Sequence, residues 1–205
     1  MGQYYYAILL AEAGVKPDGE HIRAWLSAHD YGNGVKLTEH SYVGNKFMSA
    51  VEHLLCPDGA FYKSRVVWAG DYSEVREPIA LMPSTDGTGR YADVEPGAGK
   101  NLHSMADEQP YKAVAPPDRL MGEYRYIVNH TKKQYVDKDW MKVGMYGLRI
   151  NPLSLLTAEG NGSGGGDYRG LDEKFVGGWA RDIISVEKEL PGDGFTEMRY
   201  EFLPH

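Results

Sequence analysis

Glycine dominates residues 159–170, a segment that also carries Asp167, Tyr168 and Arg169. Because glycine adopts positive φ and lets other groups approach the backbone closely, consecutive amides in such a loop can point inward around an anion. Arg169 would add a planar guanidinium beside a bound phosphate. The segment therefore predicts a phosphate-binding loop, and the alternative is a flexible surface loop without a ligand. The predicted contacts are Gly164, Gly165, Gly166, Asp167, Tyr168 and Arg169.

Two polar clusters place histidine beside hydroxyl, carboxylate or amine side chains, at residues 39–42 and 129–133. Histidine changes its charge near neutral pH, so His40 and His130 could form an acid–base pair of a nucleotide hydrolase, or bind phosphate when protonated. The alternative is that His40 hydrogen-bonds a loop and His130 occupies a turn. Neither spacing matches a zinc-binding helix or a nucleophile elbow. The polar neighbours predicted to contact a ligand are Tyr42, Asn129 and Lys132.

Two short stretches each contain a Trp-Ala pair with an aspartate three residues after the tryptophan, at Trp68 and Asp71 and again at Trp179 and Asp182. Trp68 is a candidate for stacking on a base, and Asp71 for orienting a sugar hydroxyl. Solvated ion pairs are the commoner role for such aspartates. The repeated pattern predicts a weak internal duplication, and a chance match explains the pattern nearly as well.

Composition and charge narrow the function classes. The chain has 205 residues, 42% of them hydrophobic, and a formal net charge of −7. An acidic chain is a poor partner for long nucleic acid, and no apolar run is long enough to span a bilayer. With no secretory signal at the start, we expect a cytoplasmic protein. No cofactor or metal is expected. The sequence predicts a single domain over residues 1–205, or sub-units 1–82 and 121–205 joined by the loop-rich residues 83–120.

Hairpins outnumber strand–helix–strand units, so the expected fold class is α+β, with a mainly antiparallel sheet, one principal helix and a few short helices. Apolar residues spaced by three and four predict the principal helix after an N-cap at Asn45. Residues 124–129 and 134–137 form two aromatic and branched runs about a polar turn, which predicts a hairpin. The other predicted strands are residues 4–12, 22–28, 65–69, 148–152, 178–186 and 195–202, and a short helix is predicted at residues 102–108.

Motifs along nearly the whole chain resemble those of a widespread family of uncharacterised phage and prophage proteins. The resemblance implies a viral setting, and therefore a bacterial host cytoplasm during infection. It implies no catalytic residues. The motifs are Met1-Gly2-Gln3-Tyr4-Tyr5, Lys36-Leu37-Thr38-Glu39-His40-Ser41-Tyr42, Trp68-Ala69-Gly70-Asp71-Tyr72, Val128-Asn129-His130-Thr131-Lys132-Lys133 and residues 155–162 with 164–168.

The viral setting and the predicted phosphate loop lead to one hypothesis and two rivals. The hypothesis is a binding protein that sequesters a small nucleotide-derived immune signal of the host, of the cyclic-nucleotide or ADP-ribose type. One rival is a phosphodiesterase or hydrolase that degrades such a signal. The other is an inhibitor that binds a host defence protein through an exposed aromatic patch. A homo-oligomer is compatible with all three.

Overall fold

The structure is a computed structural model, and it describes residues 2–11, 22–74, 100–108, 124–144 and 147–203. Most of the loop-rich segment predicted at residues 83–120 lies outside these ranges. The strands are, in chain order, β1 (Tyr5–Leu10), β2 (Ile22–Ser27), β3 (Ser64–Gly70), β4 (Tyr126–Asn129), β5 (Gln134–Asp137), β6 (Ala158–Glu159), β7 (Ile183–Glu187) and β8 (Thr196–Glu197). The helices are α1 (Leu37–His40), α2 (Lys46–Leu55), α3 (Leu102–Asp107) and α4 (Pro152–Leu156).

All eight strands belong to one sheet, in the order β2-β1-β3-β7-β4-β5-β8, with β6 paired beside β3. The pairings are antiparallel except for β3 with β6 and β5 with β8. The expected α+β class with a mainly antiparallel sheet is therefore confirmed. Strand β7 joins the strands of the first half of the chain to the β4–β5 hairpin of the second half.

The principal helix is α2, as predicted, and its ends follow from its sequence. The Asn45 side chain accepts hydrogen bonds from the amides of Phe47, at 2.8 Å, and Met48, at 3.3 Å, so it caps two donors that the helix leaves unpaired. The helix ends at Leu55, two residues before Pro57, which cannot continue it. Its apolar face lies in the main core.

The sheet has an apolar layer on each face. On the first face, Trp68, Ile127 and Ile184 join the main core together with Phe47 of α2. On the second face, Val67 packs in a smaller cluster with residues of α3. This division follows from the alternation of side chains along a strand, which turns Val67 and Trp68 to opposite faces. No helix among the described residues is long and apolar enough to cross a membrane.

The strand predicted at residues 178–186 is wrong in its first half, because tight turns occupy residues 176–182 and β7 begins only at Ile183. Gly177 has a φ of +76°, and its amide donates to the carbonyl of Leu155 at 2.9 Å. The Trp179 amide donates to the carbonyl of Leu156 at 2.7 Å. Trp179 is therefore a core residue in a turn, whereas Trp68 lies in a strand, and the repeated Trp-Ala pairs have different conformations.

Two further strand predictions are correct only in part. In the segment predicted at residues 148–152, Arg149 and Ile150 form isolated β-bridges, and the chain then enters α4, because Asn151 caps that helix and Pro152 suits its first turn. The strand predicted at residues 195–202 is only the two-residue β8. The buried Tyr200 and Phe202 follow it and fill the main core without pairing as a strand.

Candidate functional site

The glycine-rich loop is ordered around its own carboxylate. The amide of Gly164 donates to Asp167 Oδ2 at 2.8 Å, and the Tyr5 hydroxyl donates to Asp167 Oδ1 at 2.6 Å. Burial, together with the neighbouring Asp167, raises the pKa of Tyr5. The Asp167 carboxylate is thus bound to the Gly164 amide, which was predicted from the sequence to bind a phosphate.

Close packing against the rest of the chain explains the glycines of this loop. A Cβ on Gly164 would lie 2.4 Å from Gln3 Cβ. Gly166 has a φ of +93°, and its carbonyl accepts hydrogen bonds from the amide and the hydroxyl of Thr38, each at 3.0 Å. The carbonyl of Gly165 accepts from the Gln3 amide at 3.4 Å. Glycine is required here because other segments of the protein approach the backbone closely.

Tyr168 and Arg169 differ in exposure. Tyr168 is buried, its ring meets Phe202 edge to face at 5.2 Å, and its hydroxyl donates to the Leu171 carbonyl at 2.9 Å. Arg169 is exposed, and its guanidinium donates to the carbonyl of Gly162 at 3.4 Å. Tyr168 is thus a core residue, whereas the Arg169 side chain is open to solution.

His40 and Trp68 lie together in the main core, where both are fully buried. The Trp68 indole donates to His40 Nε2 at 3.1 Å, so the ring proton of His40 sits on Nδ1, which donates to the carbonyl of Gly34 at 3.0 Å. Burial lowers the pKa of His40 to about 4. The arrangement keeps the imidazole neutral and leaves neither of its nitrogens for a substrate.

Tyr42 and Asp71 both serve as local connections. Tyr42 is half-buried and forms a bridge with Ile150, and burial raises its pKa. The Asp71 carboxylate accepts from the Tyr4 amide at 3.0 Å, and the Asp71 carbonyl accepts from the Asn101 side chain at 3.0 Å. The latter contact ties β3 to the start of α3.

Asn129 and Lys132 clamp the β4–β5 turn onto residues 178–182. The side-chain amide of Asn129 donates to Asp182 Oδ2 at 2.8 Å, and Lys132 Nζ lies 2.9 Å from the same oxygen. Lys132 also donates to the carbonyl of Gly178. The side chains of Asn129 and Lys132 are thus bound to other groups of the protein. His130 lies between them in the sequence and contacts a different set of residues.

His130 lines a cavity of about 290 Å³. The cavity combines basic, acidic and apolar side chains from four separate parts of the chain. Its lining residues are Lys63, Val128, His130, Lys133, Glu187, Pro191, Gly192 and Phe195.

Strand register explains how this set meets. Ser185 of β7 pairs with Val128 of β4, and the next β7 residue, Val186, belongs to the main core on the opposite face. Ser185 and Glu187 therefore face away from the main core, on the same side as Val128 and His130. Lys63 immediately precedes β3 on the other side of β7.

A chain of hydrogen bonds runs under the cavity. Ser185 Oγ donates to Glu187 Oε1 at 2.7 Å, and the Tyr62 hydroxyl donates to the same oxygen at 3.0 Å. His130 Nε2 lies 2.7 Å from Ser185 Oγ. Since Ser185 has one proton and gives it to Glu187, its oxygen accepts from His130, and the ring proton of His130 sits on Nε2. His130 Nδ1 is then an unprotonated acceptor.

The lysines give the cavity its charge. Lys63 lies over the ring of Tyr62 and Lys133 over the ring of Phe195, at 4.9 and 5.0 Å from the ring centroids. Burial, and then these two ammonium groups, lower the pKa of His130 to about 4. With two lysines, one glutamate and a neutral histidine, the lining carries a net charge of +1.

The backbone at both lysines is unusual. Lys63 and Lys133 have φ angles of +56° and +54°, in the left-handed region that residues with a Cβ seldom adopt. Such conformations occur more often at functional sites than elsewhere, although turns also produce them. Among the residues lining the cavity, His130 is the one predicted from the sequence as a site residue. The sequence does not reveal that a lysine has a positive φ, nor that Lys63 and Phe195 line the same cavity.

Comparisons with models of protein families, with curated proteins and with solved structures found no significant match for this chain. Among the residues that the structure describes, no group of three or more histidine, cysteine, aspartate or glutamate side chains could hold a metal ion.

Proposed function

We propose that the protein binds a small phosphorylated ligand in the cavity beside His130. The observation that carries the proposal is the pair Lys63 and Lys133 at one cavity, where neither forms an ion pair with a carboxylate in the described part of the chain. An ammonium without a counter-charge attracts an anion, and lysine is a common ligand of phosphate in proteins.

The size of the cavity limits the ligand. At about 290 Å³ it lies just below the range for small-molecule sites, roughly 300–1,000 Å³. One phosphorylated unit, such as a mononucleotide, suits this volume better than a cyclic dinucleotide or trinucleotide does. Phe195 and Pro191 supply an apolar surface for the uncharged part of the ligand.

The geometry favours a protein that binds its ligand without cleaving it over a hydrolase that uses His40 and His130 as an acid–base pair. His40 is buried in the main core against Trp68, whereas His130 lines the cavity on the other face of the sheet. Because the chain resembles phage proteins, we propose that its role is to sequester a nucleotide-derived signal of the bacterial host. The cavity, rather than the glycine-rich loop, would hold the phosphate.

Calorimetric titration with adenosine 5′-phosphate tests the proposal, using Lys63→Gln and Lys133→Gln. Glutamine keeps a straight polar chain and removes one positive charge. Each variant should bind about tenfold more weakly, the change that about 1.4 kcal/mol of binding free energy produces. The affinity of the wild type should also fall as salt is added.

Two matched variants locate the site. Lys142→Gln removes another exposed lysine, which pairs with Glu201, and Arg169→Gln removes the guanidinium of the glycine-rich loop. Both should bind as the wild type does. Loss of binding in Arg169→Gln alone would move the site back to the loop. Absence of binding to the wild type would reject the proposal, and recovery of altered nucleotide after incubation would favour a hydrolase.

A further inference from the structure

His130 presents a hydrogen-bond acceptor, and not a donor, to whatever occupies the cavity. Its Nε2–H is committed to Ser185 Oγ, which lies 2.7 Å away and is completely buried. Ser185 in turn gives its proton to Glu187 Oε1. The nitrogen left for a ligand is Nδ1, whose lone pair needs a proton from the ligand.

Glu187 sets the direction of this chain. A carboxylate only accepts hydrogen bonds, and Glu187 Oε1 takes both Ser185 Oγ–H and the Tyr62 hydroxyl. Ser185 therefore cannot turn its proton towards His130 without leaving the carboxylate with one donor fewer. Imidazole tautomers are commonly fixed in this way, by the partner of the other ring nitrogen.

We propose that this chain makes the cavity selective for a phosphate monoester that carries a proton, over sulfate esters and phosphodiesters, with Ser185 and Glu187 as the positioning residues. The inference rests on the proposed function. Lys63 and Lys133 attract any anion, whereas the acceptor at His130 Nδ1 distinguishes an anion with an O–H group from one without it. A sulfate ester has no such proton, and neither does the phosphate of a cyclic nucleotide.

An anion without an O–H group binds more weakly, because an oxygen instead of a proton faces the lone pair of His130 Nδ1. An acceptor that a ligand covers without pairing it loses its hydrogen bond to water, and this costs more than a good hydrogen bond gains. Burial and the two lysines hold the pKa of His130 at about 4 in the unliganded protein, so the imidazole that a ligand meets near neutral pH is neutral. The carboxylate of Glu187, which also lines the cavity, accepts hydrogen bonds but donates none.

Adenosine 5′-phosphate and adenosine 5′-sulfate form a matched pair of probes. At about pH 5 roughly nine-tenths of the phosphate ester carries one proton and has the same charge as the sulfate ester, since the second pKa of a phosphate ester is about 6. Calorimetry should show the phosphate bound about tenfold more tightly by the wild type. Equal affinities would overturn the selectivity and leave the proposed function intact, whereas binding of neither ester would overturn both.

Two variants test the role of Ser185. Ser185→Ala removes the acceptor for Nε2–H, so the preference for phosphate over sulfate should fall towards unity. Ser154→Ala removes a buried serine that bonds Ser41 elsewhere, and should keep the tenfold preference. An unchanged preference in Ser185→Ala would exclude the chain as its origin.

Nitrogen NMR reads the tautomer directly in the folded wild type, with His130→Asn to assign the signals. The spectrum should show a protonated Nε2 and an unprotonated Nδ1 in His130. The opposite tautomer would overturn the inference whatever the affinities are.

Discussion

At the scale of single residues, the two histidines show how neighbours decide what one side chain can do. Trp68 donates to His40 Nε2, and Ser185 accepts from His130 Nε2, so the two rings carry opposite tautomers. Burial lowers both pKa values to about 4, with Lys63 and Lys133 adding to the effect at His130. His40 is consequently part of the core, and only His130 can meet a ligand.

These lowered pKa values predict a loss of stability in mild acid. An unfolded histidine binds a proton below about pH 6.5, whereas both of these bind it only near pH 4 in the folded protein. Their contribution is therefore complete above about pH 6.5 and is lost as the pH falls towards 4. Urea unfolding at a series of pH values should show a falling free energy of unfolding across that window.

The variant His130→Asn isolates one of the two protons. Its stability should fall less steeply with acid, by at most the uptake of one proton on unfolding. If its slope between pH 6.5 and 4 matched that of the wild type, His130 would not be held neutral by the fold.

At the scale of elements, α2 depends on its first residue. Asn45→Ala removes the oxygen that accepts from Phe47 and Met48, and should lower the free energy of unfolding by about 1 kcal/mol. Asn45→Asp keeps an oxygen there and adds a negative charge at the helix N-terminus, which the helix dipole favours. Chemical denaturation should rank the aspartate variant well above the alanine variant. Equal losses would mean that Asn45 matters through its contact with Asn33 instead.

Elements with strong local signals were predictable from the sequence. The strands β1 to β5, α2 and α3 were predicted within a few residues, because apolar spacing and caps are local properties. The turn at residues 176–182 was not, since the segment has the composition of a strand and its conformation depends on distant groups, among them the carbonyls of α4 and of Val66.

The candidate site was less predictable than the fold. The polar run at residues 129–133 pointed to His130, but the rest of the cavity comes from residues 63, 187 and 191–195, which the strand order brings together. The glycine-rich loop gave the stronger sequence signal. Its composition follows from contact with Gln3 and Thr38, a long-range property that one sequence does not reveal.

At the scale of the whole molecule, a buried ion pair links α2 to the end of the β4–β5 hairpin. Lys138 Nζ lies 2.5 Å from Glu52 Oε1, both side chains are buried, and the Asn151 side chain donates to the same oxygen at 2.7 Å. Such a pair is costly to break, because the remaining charge stays buried without a partner.

Glu52→Gln should therefore lower the free energy of unfolding by about 3 kcal/mol, as measured by urea denaturation. The double variant Glu52→Met with Lys138→Met should be more stable than Glu52→Gln, since it leaves no buried charge. For comparison, Glu201→Gln breaks the exposed pair with Lys142 and should cost less than about 1 kcal/mol. A loss as small as that in Glu52→Gln would show that water reaches the Lys138 ammonium.

The position of β7 has a consequence for how the chain is made. Among the described residues it is the strand that joins β3 to β4, so the two parts of the sheet stay separate until residues 183–187 have left the ribosome. Contacts between segments so far apart in sequence form slowly, since a long loop must first close. The nascent polypeptide therefore exposes the unpaired edge of β3, and later that of β4, until β7 has been synthesised, and the binding cavity is among the last features to be assembled.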